Sequence, residues 1–340
     1  MSAASRVLTA CERATDHRVL RQEVLDVLAA EVGFDAHVWL LTDPDTCVGS
    51  SPHAEVPSID DLPTLIRLRY LEHGWTGMPA GAVTSWTTGS PVSEGGSVWR
   101  SHLEEYGVCD VATSVLRDGS GCWGFLDLWR RGKSFRQEEL DLLRSVLTPV
   151  PSALRRCQAA SFASVTTGEP VSGAAVLLLT SGLEVRHQTP ATEAYLRWLL
   201  PTEEDRRPVP AAAYNVGAQL LAVEAGADAH PAWSRVWLRP GQWLTLRAAR
   251  LLDDGGRASE DIAVTVGLSS TPERLSMFAR VHALTSREAE VLHWLAEGAD
   301  TREVAARLHV SEYTVQDHLK AVFDKTGVRS RRVLLARAVG

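Results

Sequence analysis

The chain has 340 residues, of which 45% are apolar and 23% charged, and carries a formal net charge of -7 at pH 7. That length accommodates two or three domains, each able to bury a core. The first 18 residues hold no continuous apolar segment, and the longest apolar stretch, 174–179, is far too short to span a bilayer. No secretory signal or membrane partner is therefore expected, and the chain reads as cytoplasmic.

In chain order, Leu20, Val24 and Leu28 recur at helical spacing over 15–32, and an apolar strand is expected at 36–42. Residues 43–105 are rich in Pro, Gly and Ser, with one helix expected at 60–73. The runs 111–116 and 123–129 flank Asp118-Gly119-Ser120-Gly121 and read as a β-hairpin. A helical pattern carrying Leu140, Leu143, Leu147 and Leu154 follows, with Pro149 and Pro151 expected to interrupt it. The Cys-Trp-Gly-Phe-Leu-Asp-Leu hairpin strand (122–128), with Phe135 and the Glu138–Leu143 stretch, resembles the end of a GAF domain. That resemblance implies a sensor of small molecules or partners, built on a twisted antiparallel sheet backed by helices. Trp123, Phe125 and Trp129 are expected to fill its core.

Residues 158–172, rich in Ser, Thr, Gly and Ala, read as a linker. Strands follow at 174–180 and 185–187, then helices at 191–200 and 211–224, then strands at 233–239, 242–252 and 261–268. Pro240-Gly241 and Asp253-Asp254-Gly255-Gly256 are the turns between the last three. This order resembles a PAS domain, and Trp233, Trp237 and Trp243 are expected in a core, an interface or a cavity wall. Residues 271–283 read as a second connection, whose Leu275, Met277, Phe278 and Val281 can dock on either neighbour.

The clearest pattern is C-terminal. Thr285 with Glu288, and Asp300 with Glu303, have capping-box spacing; Ser311 can cap a third helix, Gly327 can end it and Ser330 can start a fourth. Two helices joined by a tight turn, the second amphipathic, make a helix-turn-helix. Leu284-Thr285-Ser286-Arg287-Glu288, Glu303-Val304-Ala305, Ser311-Glu312-Tyr313-Thr314-Val315-Gln316-Asp317-His318-Leu319 and Gly327-Val328-Arg329-Ser330-Arg331 resemble the LuxR-type (NarL/FixJ-type) DNA-binding domain. The resemblance implies a regulator that binds double-stranded DNA as a homodimer, through its third helix in the major groove and its fourth helix against a second copy.

Charge is divided to match. Residues 275–340 hold ten basic and eight acidic residues (+2), and residues 1–274 hold 25 and 34 (-9). Within 313–340 the balance is six to two, so the cations gather where phosphates would be met. The acidic part either restrains the C-terminal part, by repulsion or by covering it, or only keeps the chain soluble.

On the third helix Val315, Leu319, Val322 and Phe323 should pack inward. The resemblance assigns base reading to Gln316, Asp317 and Lys320, where glutamine suits adenine, lysine guanine and aspartate cytosine N4. An ion pair between Asp317 and Lys320 is the competing role for Asp317. Arg302, Ser311, Thr314, Lys325, Arg329 and Arg331 are expected at phosphates. Val333, Leu334, Leu335 and Ala338 lie in and beside one apolar stripe, part of which must cover the domain's own core, while the resemblance implies that the remainder forms the dimer contact.

Other chemistries fit poorly. Gly132-Lys133-Ser134 has the ending of a phosphate-binding loop, but Asp127 stands where its first glycine is needed. Lys133 is the only lysine before Lys320, and no acidic pair is framed as in a phosphoryl receiver. The five cysteines (11, 47, 109, 122, 157) form no metal-ligand spacing and read as reduced, mostly buried thiols.

The expected architecture is therefore an α+β GAF-like domain (1–157), a linker (158–172), an α+β PAS-like domain (173–270), a linker (271–283) and an all-α four-helix LuxR-type helix-turn-helix domain (284–340). The expected function is sequence-specific regulation of transcription in response to a small molecule or partner. The alternatives are an interaction protein whose sensor folds bind only protein partners, and a sensor enzyme. No cofactor, catalytic residue or metal is assigned.

Overall fold

A computed structural model of the chain describes residues 1–72, 76–86, 98–163, 173–199, 208–239 and 241–340. The first unit comprises α1 (Ala3–Arg13), α2 (His17–Glu31), β1 (Ala36–Thr42), β2 (Gly49–Glu55), α3 (Leu62–Leu71), β3 (Val83–Ser85), α4 (Val98–Glu105), β4 (Val108–Asp118), β5 (Gly121–Arg131), α5 (Gln137–Leu147) and α6 (Val150–Ala160). Its five strands form an antiparallel sheet in the order β2-β1-β5-β4-β3. The prolines at 149 and 151 do divide the expected long helix into α5 and α6.

Helices α1, α2, α5 and α6 pack on one face, where Leu20, Val24, Leu28, Leu140, Leu143 and Leu154 meet Trp39, Trp123 and Leu126. The opposite face receives α3 and α4. With both faces covered, β5 is buried along almost its whole length, which explains its near-continuous apolar run. A bulge lies where the β4 partner shifts from Leu116↔Gly124 to Arg117↔Cys122, leaving Trp123 as the extra residue. The bulge changes the side-chain alternation. Trp123 joins the core against the helices, while Phe125 and Trp129 face the other way and line a cavity. All three are buried, as expected of core residues, with Trp123 in the cluster against the helices of one face and Phe125 and Trp129 in clusters on the other, where they also border the cavity.

The second unit comprises β6 (Ala175–Leu179), β7 (Val185–Gln188), α7 (Pro190–Leu199), α8 (Ala211–Glu224), β8 (Trp233–Arg239), β9 (Gln242–Leu252) and β10 (Ala258–Leu268). Its antiparallel sheet has the order β7-β6-β10-β9-β8, the same permutation of chain order as the first. Helix α8 is buried at every residue from Ala211 to Gln219 because it is sandwiched between units, packing on its own β9 and on α3 and β2 of the first.

The segment 158–172 is helical up to Ala160, and the rest of that expected linker, 164–172, lies outside the described residues. Phe162, beyond the helix, is buried: it stacks on Trp243 with ring centroids 5.4 Å apart and meets Phe278 edge-on. Residues 271–283, read as a connection, are mostly a helix, α9 (Thr271–Val281), capped by Ser270 and Glu273. Its Leu275, Met277, Phe278 and Val281 are all buried. They dock on both neighbours at once, in one apolar cluster running from the first unit through Trp243 to Leu292, Val322 and Leu334. Helices α10 (Ser286–Ala296), α11 (Thr301–Leu308), α12 (Glu312–Thr326) and α13 (Arg331–Val339) complete the chain. No described helix is long and apolar enough to cross a membrane.

Candidate nucleic-acid interface

Each of the four C-terminal helices starts on a side-chain cap. Thr285 Oγ1 accepts from the Glu288 amide at 3.3 Å, and the Glu288 carboxylate accepts from the Thr285 amide at 2.7 Å. Asp300 and Glu303 repeat this reciprocal arrangement, each bond 2.8 Å long. Ser311 caps α12 and Ser330 caps α13. These bonds satisfy amides that a helix N-terminus leaves without partners. Gly327 ends α12 at φ 65°, ψ 21°, in the left-handed conformation that favours glycine.

The turn between α11 and α12 is tight because His309 is also left-handed, at φ 54°. A non-glycine in that conformation leaves little signal in the sequence. The turn sets α12 across α11 with Val315 fully buried against Val291, Leu295 and Val304. Val322 is also fully buried, and Leu319 and Phe323 are half-buried, as expected of the inward stripe.

The outward face of α12 presents Glu312, Tyr313, Gln316, Asp317, Lys320 and Asp324, all exposed in the full-length chain. Tyr313 is 76% exposed. The other two units therefore do not cover the base-reading candidates. No side-chain hydrogen bond or ion pair among the described residues engages Gln316, Asp317 or Lys320, and no Asp317–Lys320 ion pair forms. All three side chains are available to a ligand on that face.

The phosphate candidates separate into two groups. Arg302 and Arg329 are exposed with their guanidinium groups unengaged, and the Ser311 and Thr314 hydroxyls sit together at the start of α12, 2.9 Å apart. Lys325 is tied down: its Nζ lies 2.6 Å from Glu288 and donates to the Ala283 carbonyl at 3.2 Å. Burial works against the Glu288 charge, but Lys325 and the Thr285 amide more than offset this and hold its carboxyl below the usual range. Arg331 donates to the Ala299 carbonyl at 2.5 Å. Both cations thus make contacts within the unit while keeping part of their surface exposed.

The dimer candidates also divide. Leu334 and Ala338 have no exposed surface, because α13 turns them onto α9 and the apolar cluster. These two are the part of the stripe that covers the domain's own core. Leu335 is half-buried between two clusters, and Val333 is 43% exposed. Arg274 of α9 fastens the end of α13 by donating to the Arg337 carbonyl. One-dimensional periodicity cannot distinguish a stripe that meets a neighbouring helix from one that meets a second molecule.

Elsewhere, Cys11, Cys47, Cys122 and Cys157 are buried and Cys109 half-buried, all unpaired. Burial pushes the thiols of Cys11 and Cys157 up to about 11. Lys133 is exposed just beyond β5. No group of three metal-ligating side chains is present among the described residues.

Residues 282–338 match the family described as bacterial regulatory proteins, luxR family. Over 48 residues the chain is 46% identical to the nitrate/nitrite response regulator protein NarP of Escherichia coli (strain K12), covering 14% of this chain and 22% of that protein. It is 40% identical over 58 residues to the probable HTH-type transcriptional regulator GfsR of Streptomyces halstedii, covering 17% and 24%. The chain thus spans less than a quarter of the length of either relative. Among solved structures, Escherichia coli SdiA matches with a TM-score of 0.36 and 14% identity, covering 99% of this chain and 96% of that chain. The C-terminal unit is a LuxR-type helix-turn-helix domain, preceded by two antiparallel five-stranded sheets with their helices.

Proposed function

We propose that this chain is a sequence-specific DNA-binding regulator of transcription. Helix α12 enters the major groove with Gln316, Asp317 and Lys320 at base edges. Arg302, Ser311, Thr314 and Arg329 lie towards the phosphates. The observation that carries the reading is the exposed polar face of α12, unengaged by the rest of a chain that otherwise carries net negative charge.

In this reading the domains are 1–157, 173–270 and 284–340. The two sheet-built domains respond to a small molecule or partner, and α9 conveys their state because its apolar side is shared between them and the C-terminal domain. The regulator acts in the cytoplasm as a homodimer, with Val333 and the exposed part of Leu335 towards the second copy. Two-fold symmetry then calls for a roughly palindromic operator.

The test is selection of duplexes from a random pool by the full-length protein, followed by affinity measurements across salt concentrations. Counterion release makes the logarithm of affinity fall linearly with the logarithm of salt. An affinity that stays flat from low to physiological salt, or a selection that enriches no sequence, overturns the proposal.

A further inference from the structure

A cavity of about 350 Å³ lies in the first unit, between the β1 and β5 face and helices α3 and α4. Its wall is predominantly apolar, with Val38, Leu40, Phe125 and Trp129 from the sheet facing Leu65 and Trp99. One ion pair interrupts this wall. Arg69 Nε lies 2.8 Å from Asp127, and Thr113 donates to the same carboxylate at 2.7 Å. The Arg69 guanidinium is also 4.6 Å from the Trp99 ring centre. Among the described residues of the wall Arg69 and Asp127 are the two charged side chains, and they pair with each other.

Asn215 completes the wall, and it comes from α8 of the second unit. Its side chain is fully buried, yet neither Nδ2 nor Oδ1 has a hydrogen-bond partner. Its position is fixed: a Cβ added at Gly49 would lie 2.8 Å from Nδ2, so the amide rests directly on the Gly49 backbone. Trp129 adds a second unpartnered donor, its indole N–H. Buried polar groups are nearly always hydrogen-bonded, because leaving one unpaired retains the cost of removing it from water. A buried amide lacking partners for both donor and acceptor, in the wall of an apolar cavity, is therefore a recognition element awaiting its complement.

We infer that this cavity binds a neutral, largely apolar small molecule with a single carboxamide or hydroxyl group, and that Asn215 is its polar anchor. The inference rests on the sensing role proposed above and specifies its site and ligand class. Neutrality follows from the balanced Arg69–Asp127 pair, since a charged ligand would be buried without a counter-charge. A group that both donates and accepts follows from Asn215, which offers one of each. Because Asn215 belongs to α8, the occupant bridges the two sheet-built units, and its binding bears on their packing.

The experiment compares three probes that share a phenylbutyl skeleton on the full-length protein: 4-phenylbutanamide, 4-phenylbutanoate and butylbenzene, measured by thermal shift and calorimetric titration at neutral pH. The amide should raise Tm and bind at least tenfold more tightly than the carboxylate. Asn215→Leu should weaken amide binding at least tenfold while leaving butylbenzene binding within about threefold. With no ligand, Asn215→Leu should leave Tm unchanged or raise it, because it removes an unpaired polar group. Trp129→Phe, which removes the N–H together with part of the ring, should weaken the amide several-fold more than it weakens butylbenzene, and provides a second test if Asn215→Leu fails to fold. Equal binding of amide and carboxylate, amide binding indifferent to both substitutions, or no binding of any probe overturns the inference. The sensing role is judged separately, by native mass spectrometry for co-purifying small molecules and by their effect on operator affinity. A charged co-purifying molecule that alters operator affinity would overturn the ligand class while sustaining the sensing role.

Discussion

Arg235 of β8 and Asp43, just beyond β1, form a fully buried two-pronged ion pair, with Nε to Oδ2 at 2.6 Å and Nη2 to Oδ1 at 2.9 Å. The same guanidinium reaches Asp45 at 2.6 Å. Asp45 in turn accepts from Ser276 and Arg280 of α9, each at 2.8 Å. One cation thus ties the second unit to the first, and through Asp45 to the helix that leads to the DNA-binding domain. Burial alone discourages the charge, but Asp43 and Asp45 more than offset it and push the Arg235 pKa above its ordinary value.

Arg235→Met should destabilise the protein by about 3–5 kcal/mol, because Asp43 remains buried without its counter-charge. Arg235→Lys should recover only part of the loss, since a point charge cannot make both prongs and also reach Asp45. Urea denaturation of the full-length chain measures both. Midpoints indistinguishable from the parent would show that the pair adds nothing to stability.

At the recognition helix, Gln316→Ala should relax base preference at one step of each half-site, with about 1–3 kcal/mol of discrimination lost. Arg302→Ala should instead weaken all sequences alike and make the salt dependence shallower. Binding-site selection with each variant separates the two roles. Unchanged base preference in Gln316→Ala would remove that residue from base reading.

Along α13, Val333→Asp should leave the thermal unfolding transition nearly unchanged and reduce binding to a two-half-site operator. Leu334→Asp should instead unfold the domain, because it places a charge in a fully buried position. Sedimentation and operator titration distinguish these outcomes. A Val333→Asp protein that dimerises and binds like the parent would place the dimer contact elsewhere.

Stability should decline as pH falls from about 6.5 towards about 4. Burial, reinforced by the Arg21 guanidinium beside it, pushes His17 down to about 3, and burial pushes His282 at the end of α9 down to about 4. Both would titrate near 6.5 in the unfolded chain. Between those values the unfolded state binds protons that the folded state refuses, so their stabilising effect is complete above about 6.5 and lost on acidification. Carboxylates such as Glu139, held at about 2 chiefly by Arg130 against its own burial, contribute a separate loss beginning below about 4.5. The double variant His17→Gln, His282→Gln should flatten the upper part of the profile. Denaturation midpoints with the same slope in parent and variant between pH 7 and 5 would refute this assignment.

The C-terminal domain was legible in the sequence because its determinants are local. Thr285 with Glu288, Asp300 with Glu303, Ser311 and Ser330 each act within one helical turn, and the Val315, Val322 stripe repeats at a fixed spacing. The hairpin of β4 and β5 and the succession of elements along the second unit were legible for the same reason, since turn residues and alternation are short-range signals. Tertiary structure decided whatever depended on partners distant in the chain. The bulge at Trp123 placed that ring on the face opposite Phe125 and Trp129, and α13 packed Leu334 and Ala338 against α9. Lys325 went to Glu288, 37 positions away, and Arg235 to Asp43, 192 positions away. Asn215 became a cavity wall only because α8 lies across a neighbouring unit. Caps and periodicity are written residue by residue, whereas burial and charge pairing depend on which surfaces the folded chain brings together.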